Sequence, residues 1–187
     1  MKLTFRVSRR ILGGAALIAS AALLPGTALA ATASPAATTA RTTAAAQPGW
    51  FAPRCLITQT RVSLGPGDAA AGTVFYALRF TNISRRTCGM IGYPKTYAEY
   101  QDGKVIGNAS RKIRGPQRWF AVTPGATVHS VLGIAEAGNI CAKPVWAAGM
   151  RVYAPGQFAS SWLNFKFQAC HGHVTVMSVT PVVWGRG

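Results

Sequence analysis

Four cations and a tryptophan form the densest group of chemically active side chains in the sequence. Arg111, Lys112, Arg114 and Arg118 fall within eight residues, and Trp119 follows directly. Guanidinium groups bind phosphate and carboxylate groups through paired hydrogen bonds, and aromatic rings stack on the flat parts of a polymer. This pattern predicts a binding site for a polyanion. The same pattern is also typical of a solvated loop in which Trp119 begins a core strand, and the sequence leaves both interpretations open.

The groups that catalysis or metal binding would need are scarce. The histidines are His129, His171 and His173, and the acidic residues are Asp68, Glu99, Asp102 and Glu136. The last two histidines flank one glycine and could share a metal ion, but a stable site needs a third or fourth ligand. General acid–base catalysis needs titratable groups held close together, and no acid lies near a histidine in the sequence. We therefore predict no catalytic residue, no metal site and no cofactor, with a small hydrolase as a remote alternative.

The four cysteines are the remaining reactive groups, and they are Cys55, Cys88, Cys141 and Cys170. An even number of cysteines in an exported chain predicts disulfides, and four cysteines permit three connectivities. We favour the bridges 55–88 and 141–170, because each then closes a loop of about 30 residues within one half of the domain. A metal site is the alternative, but the cysteines and histidines lack ligand spacing.

The N-terminal 30 residues have the parts of an export signal. A basic start is followed by an apolar run over 11–24, then Pro25, then small residues at 28–30. This order predicts a signal peptide that is cleaved after Ala30. A retained membrane anchor is the alternative, but it would need about 20 apolar residues. A lipid anchor would need a cysteine directly after the cleavage point, and the first cysteine, Cys55, lies far beyond it, so we expect no lipid anchor. We also expect no membrane span after processing.

The rest of the chain divides into a linker and one domain. Residues 31–50 are low-complexity Ala and Thr, which predicts a flexible tether, and residues 51–187 have the length of one domain. Four of the 20 basic residues leave with the signal peptide, so the formal charge of +16 becomes 16 − 4 = +12. This charge favours a polyanion partner, although net charge also keeps a secreted protein soluble.

Alternating residues predict strands as the elements that position these groups. Apolar residues recur at every second position over 74–81, and the same alternation runs over 128–134 with Ser130 among its members. A third segment, 173–183, is rich in Val and Thr. The run Gly65–Asp68 has turn chemistry, and Asp102-Gly103 predicts a two-residue hairpin. Many short strands with frequent turns predict an all-β fold, a two-sheet antiparallel sandwich of the immunoglobulin-like kind.

An ordered set of residues in this region resembles a known family. Phe80-Thr81-Asn82-Ile83-Ser84 is followed by Cys88 and by Gly92-Tyr93-Pro94. Further matches are Cys55, Asp102-Gly103, Pro124-Gly125, Cys141, Pro144, Arg151-Val152 and Cys170. The combination resembles an exported actinobacterial family catalogued as domain of unknown function 4232. The resemblance implies structural roles: bridges for the cysteines, a bend for Gly-Tyr-Pro, and a turn for Asn82 and Ser84. It implies no activity and no catalytic residue.

The sequence as a whole predicts a secreted, non-catalytic binding module that is extracellular or loosely associated with the cell wall. Its expected partner is an anionic cell-wall polymer or another polyanion, bound by the segment from Arg111 to Trp119. The alternative is a protein–protein interaction module, such as an inhibitor or adaptor, that uses Trp146 or Trp162. Salt separates the two, since binding to a polyanion weakens steeply with salt.

We expect the mature protein to begin at Ala31 and to lie outside the cytoplasmic membrane, because the small residues before it suit signal peptidase. Intact mass spectrometry of the protein from culture supernatant measures this directly. A membrane-bound species that retains residues 1–30 would show that the segment is an anchor.

Overall fold

The computed structural model describes residues 52–187, and this part of the chain is built from strands. The strands are β1 (Thr60–Ala70), β2 (Thr73–Asn82), β3 (Cys88–Met90), β4 (Lys95–Glu99), β5 (Val105–Ile106), β6 (Arg111–Lys112), β7 (Phe120–Val122), β8 (Thr127–Ala135), β9 (Val145–Tyr153), β10 (Ser160–Ala169), β11 (Met177–Val179) and β12 (Val183–Trp184). Two single-turn 3₁₀ helices cover Ile57–Gln59 and Ala137–Asn139. The predicted signal peptide (1–30) and linker (31–50) lie outside the described residues.

The strands form three sheets. The largest has the order β1-β2-β8-β11-β6, with β12 also paired to β8, and the second has the order β10-β9-β4-β5. Strands β3 and β7 form a third, two-stranded sheet. The all-β prediction is confirmed. The prediction of two purely antiparallel sheets is too simple, because β6 pairs in parallel with β11 and the third sheet is separate.

Alternation along the strands sets the core. Val128, Ser130, Leu132 and Ile134 of β8 are all buried, and so is Leu78 of β2. The inward residues of the second sheet belong to the same core cluster; they include Ala98, Ile106, Met150 and Val152. Side chains that alternate on a strand point to opposite faces, so the faces predicted from the sequence are the faces that are buried.

Two predicted elements differ in the structure. The run Gly65–Asp68 is not a turn between strands but lies inside β1, where the pairing with β2 shifts between Leu64 and Gly67. β1 is the outer strand of its sheet, and Pro and Gly are accommodated at a bulge on such an edge. The predicted strand over 173–183 is reduced to β11 and β12. Between them the Val131 N–H donates to the Thr180 hydroxyl, because the Thr180 carbonyl oxygen accepts from the Ser130 hydroxyl, and Pro181 has no N–H to continue the ladder.

A hairpin is present at Asp102-Gly103, but its loop has three residues, 101–103, and not the predicted two. The N–H of Tyr100 donates to the carbonyl oxygen of Lys104 at 2.9 Å, and Gly103 takes a φ of +82°. A positive φ suits glycine because it has no Cβ to clash. The turn joins β4 to β5, as the sequence indicated.

Both favoured disulfides are present, Cys55–Cys88 and Cys141–Cys170. No cysteine within the described residues is free. Paired cysteines indicate an oxidising, extracytoplasmic location. Within residues 52–187, no helix has the length and apolar character needed to cross a membrane.

We expect the double variant Cys141→Ala/Cys170→Ala to lose about 2–4 kcal/mol of unfolding free energy, because its unfolded chain gains freedom that the bridge removes. Urea unfolding followed by circular dichroism measures the loss. The reduced wild-type protein, which lacks both bridges, serves as the lower reference. A double variant as stable as the oxidised wild type would contradict a stabilising role for this bridge.

Candidate functional site: a cationic segment at a sheet edge

The four cations found in the sequence lie in an exposed segment, 111–118, called here the cationic segment. Every residue of this segment is exposed. Its backbone is nevertheless held at two points: the Ser110 N–H donates to the Thr96 carbonyl of β4 at 2.9 Å, and the Ile113 N–H donates to the Val179 carbonyl of β11 at 2.8 Å. The chain therefore passes from the second sheet to the large sheet at this point. There β6 pairs with β11 in the parallel direction.

The cations do not share a single face. Arg111 lines a cavity of about 380 Å³ together with Val174 and Ser178. The Lys112 ammonium instead lies 5.5 Å from the centre of the Tyr93 ring. Neighbouring residues of a strand point to opposite sides, so the segment presents positive charge on both sides of its edge. This arrangement suits an extended polymer more than a single small anion.

The remainder of the segment runs along the stretch 89–93. The Gln117 side chain reaches Gly92, whose φ is +99°, and the Trp119 ring lies directly over Gly89. A Cβ at Gly89 would fall 1.7 Å from that ring, so no side chain fits there. The bend expected at Gly-Tyr-Pro is present, and it also supports the cationic segment.

Trp119 is a packed residue in this arrangement. It is half-buried, its indole N–H is buried without a hydrogen-bond partner among the described residues, and the Arg54 guanidinium carbon lies 5.9 Å from its ring. A ring that packs against Gly89 has little face free for stacking on a ligand. The structure therefore leaves Arg111, Lys112, Arg114 and Arg118 on the surface and packs Trp119 against Gly89.

No ion pair among residues 52–187 neutralises the charge of the cationic segment. The ion pairs of the described residues are Lys104–Asp102 at 3.2 Å and Arg151–Glu99. Hydrogen bonds from the Lys104 backbone and side chain lower the pKa of Asp102, and hydrogen bonding to Glu99 raises the pKa of Arg151. No cation of the segment takes part in either pair, so its field extends into solvent.

The histidines occupy separate places. His171 Nε2 lies 2.9 Å from the Tyr100 hydroxyl, and His129 Nδ1 lies 3.0 Å from the Gly185 carbonyl oxygen. His173 is exposed. Within the part of the chain that the structure describes, no three His, Cys, Asp or Glu side chains are grouped so as to hold a metal ion.

A second group of polar and aromatic side chains was missed at the sequence level. Lys95 and Tyr97 of β4 and Arg151 and Tyr153 of β9 line one cavity with Phe158. In each strand the two residues are two positions apart, and this spacing indicates that they lie on the same face of the strand. The sequence could not show that these two strands are neighbours, and only the pairing of β4 with β9 brings the residues together.

The turn residues of the family-like motif have clear roles. The Asn82 amide donates to the carbonyls of Arg86 and Val122, both at 2.8 Å, and its oxygen accepts from the backbone N–H and hydroxyl of Ser84. The buried Asn82 thus closes the turn between β2 and β3. The predicted turn role of Asn82 and Ser84 is confirmed.

The fold and this surface define a disulfide-bonded all-β domain with an unneutralised cationic edge. The chain belongs to the family described as Domain of unknown function (DUF4232), which matches residues 55–183. The match begins at the first cysteine of one bridge and extends past the last cysteine of the other. No curated protein and no solved structure matches the chain significantly.

We expect Gly89→Ala to lower the unfolding free energy by about 1–3 kcal/mol, because the added methyl group overpacks the space filled by Trp119. Thermal unfolding monitored by tryptophan fluorescence measures the loss of stability, and the emission of the folded variant reports the displacement of the Trp119 ring. Gly138→Ala is the matched control, since its Cβ would meet nothing closer than 3.9 Å. Equal stability of the two variants would contradict the close packing of Trp119.

Proposed function

We propose that this domain is a non-catalytic binding module that is retained on an anionic polymer through its cationic segment. The observation that carries the proposal is the group of four exposed cations with no acidic partner among the described residues. The backbone at the start of the segment is held by hydrogen bonds to both large sheets, so Arg111 and Lys112 lose less backbone entropy on binding. Phosphate or carboxylate groups along a polymer would displace counterions from this edge.

The proposal includes export and attachment outside the cell. The disulfides support an extracytoplasmic site of action, and the basic and apolar N-terminal pattern supports secretion with cleavage after Ala30. An anionic cell-wall polymer is then the polyanion that a secreted protein of this charge would meet first. We also propose that the two larger sheets form an immunoglobulin-like sandwich. Two observations support this arrangement: the two sheets share one core, and the ring centres of Tyr76 and Phe165 are 5.1 Å apart.

A protein–protein interaction module is the second candidate, and one observation favours it. The Trp146 side chain is 65 % exposed and lines two cavities, of about 590 and 470 Å³, with Lys166. Exposed tryptophans often anchor protein interfaces. Trp162 is 46 % exposed on the neighbouring strand β10, so an inhibitor or adaptor surface would include both rings.

The quadruple variant Arg111→Gln/Lys112→Gln/Arg114→Gln/Arg118→Gln should lose most of its affinity for a polyphosphate of defined length. The slope of log affinity against log salt should become shallower by about 0.7–0.9 for each charge that contacts the polymer. Fluorescence anisotropy at several salt concentrations measures both quantities. The fold should survive, because an exposed substitution usually changes stability by about 0.5 kcal/mol or less.

The matched control removes the same charge elsewhere. Arg61, Arg85, Arg86 and Lys143 are exposed and take part in neither ion pair, so their replacement by Gln also removes four positive charges. Equal loss in the two variants would mean that general charge, not this segment, causes binding. Retention on isolated cell walls that survives both variants but is lost in Trp146→Ala would replace the polyanion proposal with the second candidate.

A further inference from the structure

The outer face of the second sheet carries a groove that the cationic segment does not use. Lys95 pairs with Tyr153 and Tyr97 pairs with Arg151 across β4 and β9, so these four residues form a block of neighbours. Phe158, in the loop between β9 and β10, lies at the rim. The cavity they line has a volume of about 450 Å³, within the range of small-ligand sites. It is called here the aromatic groove.

The walls of the groove are aromatic and open to solvent. The Tyr97 and Tyr153 ring centres are 6.0 Å apart with an angle of 77° between the ring planes. The Phe158 side chain is 99 % exposed. Leaving a phenylalanine in water forgoes about 1.5–3 kcal/mol of burial energy. A fully exposed ring at the rim of a cavity therefore indicates a surface that a ligand would cover.

The polar groups of the groove are mainly hydrogen-bond donors. The Lys95 ammonium lies 5.4 Å from the Tyr97 ring centre and 5.1 Å from the Tyr153 ring centre, and it takes part in no ion pair of the described residues. The groove has one carboxylate, Glu99, but Arg151 occupies both of its oxygens through Nε and a terminal nitrogen. The donors left over are those of Lys95 and the remaining N–H groups of Arg151.

These features select the chemistry of the ligand. Surplus donors next to a positive charge suit an anionic acceptor such as a carboxylate. The two tyrosine rings stand nearly perpendicular, so they cannot enclose a flat base between parallel faces. A puckered, saturated ring carries C–H groups on its faces and its edges, and those groups pack against the negative faces of aromatic rings. The Gln157 amide at the groove can both donate to and accept from hydroxyl groups.

We propose that the aromatic groove binds an acidic sugar unit. The sugar ring packs against Tyr97, Tyr153 and Phe158, and its carboxylate bonds Lys95 and Arg151. This site is independent of the proposed function, because it lies on other strands and recognises a sugar ring together with its charge. The same chemistry occurs in a free sugar acid and in an acidic glycan, and ligands of different length distinguish these two sources.

Titration of the ¹⁵N-labelled processed protein with glucuronic acid and with an oligomer of galacturonic acid tests the proposal. We expect changes in the backbone amide chemical shifts of β4, β9 and the Phe158 loop. An oligomer of galactose, which is uncharged, should cause smaller changes. Phe158→Ala should weaken binding about tenfold, the loss typical of an aromatic anchor, without unfolding an already exposed position. Lys95→Met should reduce the preference for the acidic over the neutral sugar, because only Arg151 then remains to bind the carboxylate.

Two controls separate this site from the rest of the surface. Trp146→Ala removes another exposed aromatic ring and should leave the shifts at β4, β9 and the Phe158 loop unchanged. The quadruple Gln variant of the cationic segment should leave binding of glucuronic acid unchanged, and with the acidic oligomer it should lose only the shifts at 111–118. Binding by the oligomer alone would identify a glycan as the source, and equal binding by the monomer would identify a free sugar acid. Three outcomes would overturn the proposal. They are the absence of chemical shift changes at millimolar sugar, changes confined to 111–118, and changes of equal size with inorganic phosphate.

Discussion

The Trp119 ring occupies the space that a side chain at position 89 would need, and the corner of the domain around Gly89 is organised by that contact. The Gly89 backbone also bonds the start of the domain: its N–H donates to the Pro53 carbonyl oxygen and its own carbonyl accepts from the Cys55 N–H. The Cys55–Cys88 bridge closes the same corner. One residue without a side chain thus joins a disulfide, a strand and the end of the cationic segment.

The few acidic residues give the positive charges two different roles. Glu99 is 1 % exposed, and Arg151 neutralises it from a position where its own side chain remains 40 % exposed. Removing Arg151 would leave a buried charge unpaired, which typically costs about 3–5 kcal/mol. Arg151 is therefore part of the fold as well as of the groove. The cations of 111–118 have no such structural duty, since they are exposed and unpaired among the described residues.

The two proposed sites differ in how far the sequence foretold them. The cationic segment was visible because its charges are adjacent in the chain. Its geometry was not, because the opposite directions of Arg111 and Lys112 follow from the pairing of β6 with β11. The aromatic groove combines Tyr97 with Tyr153, which are far apart in the chain, and only the register of β4 on β9 makes them neighbours.

Local patterns determined the all-β class, the buried faces of β2 and β8 and the hairpin at Asp102-Gly103, and loop length favoured the cysteine pairing that is present. Alternation and turn residues depend only on neighbouring positions in the chain. Loop length depends only on the number of residues between two cysteines. The bulge at Gly65–Gly67, the parallel entry of β6 and the groove were decided by tertiary structure. They depend on which strands pair and in which register, and that choice is made by packing between segments that are distant in the sequence.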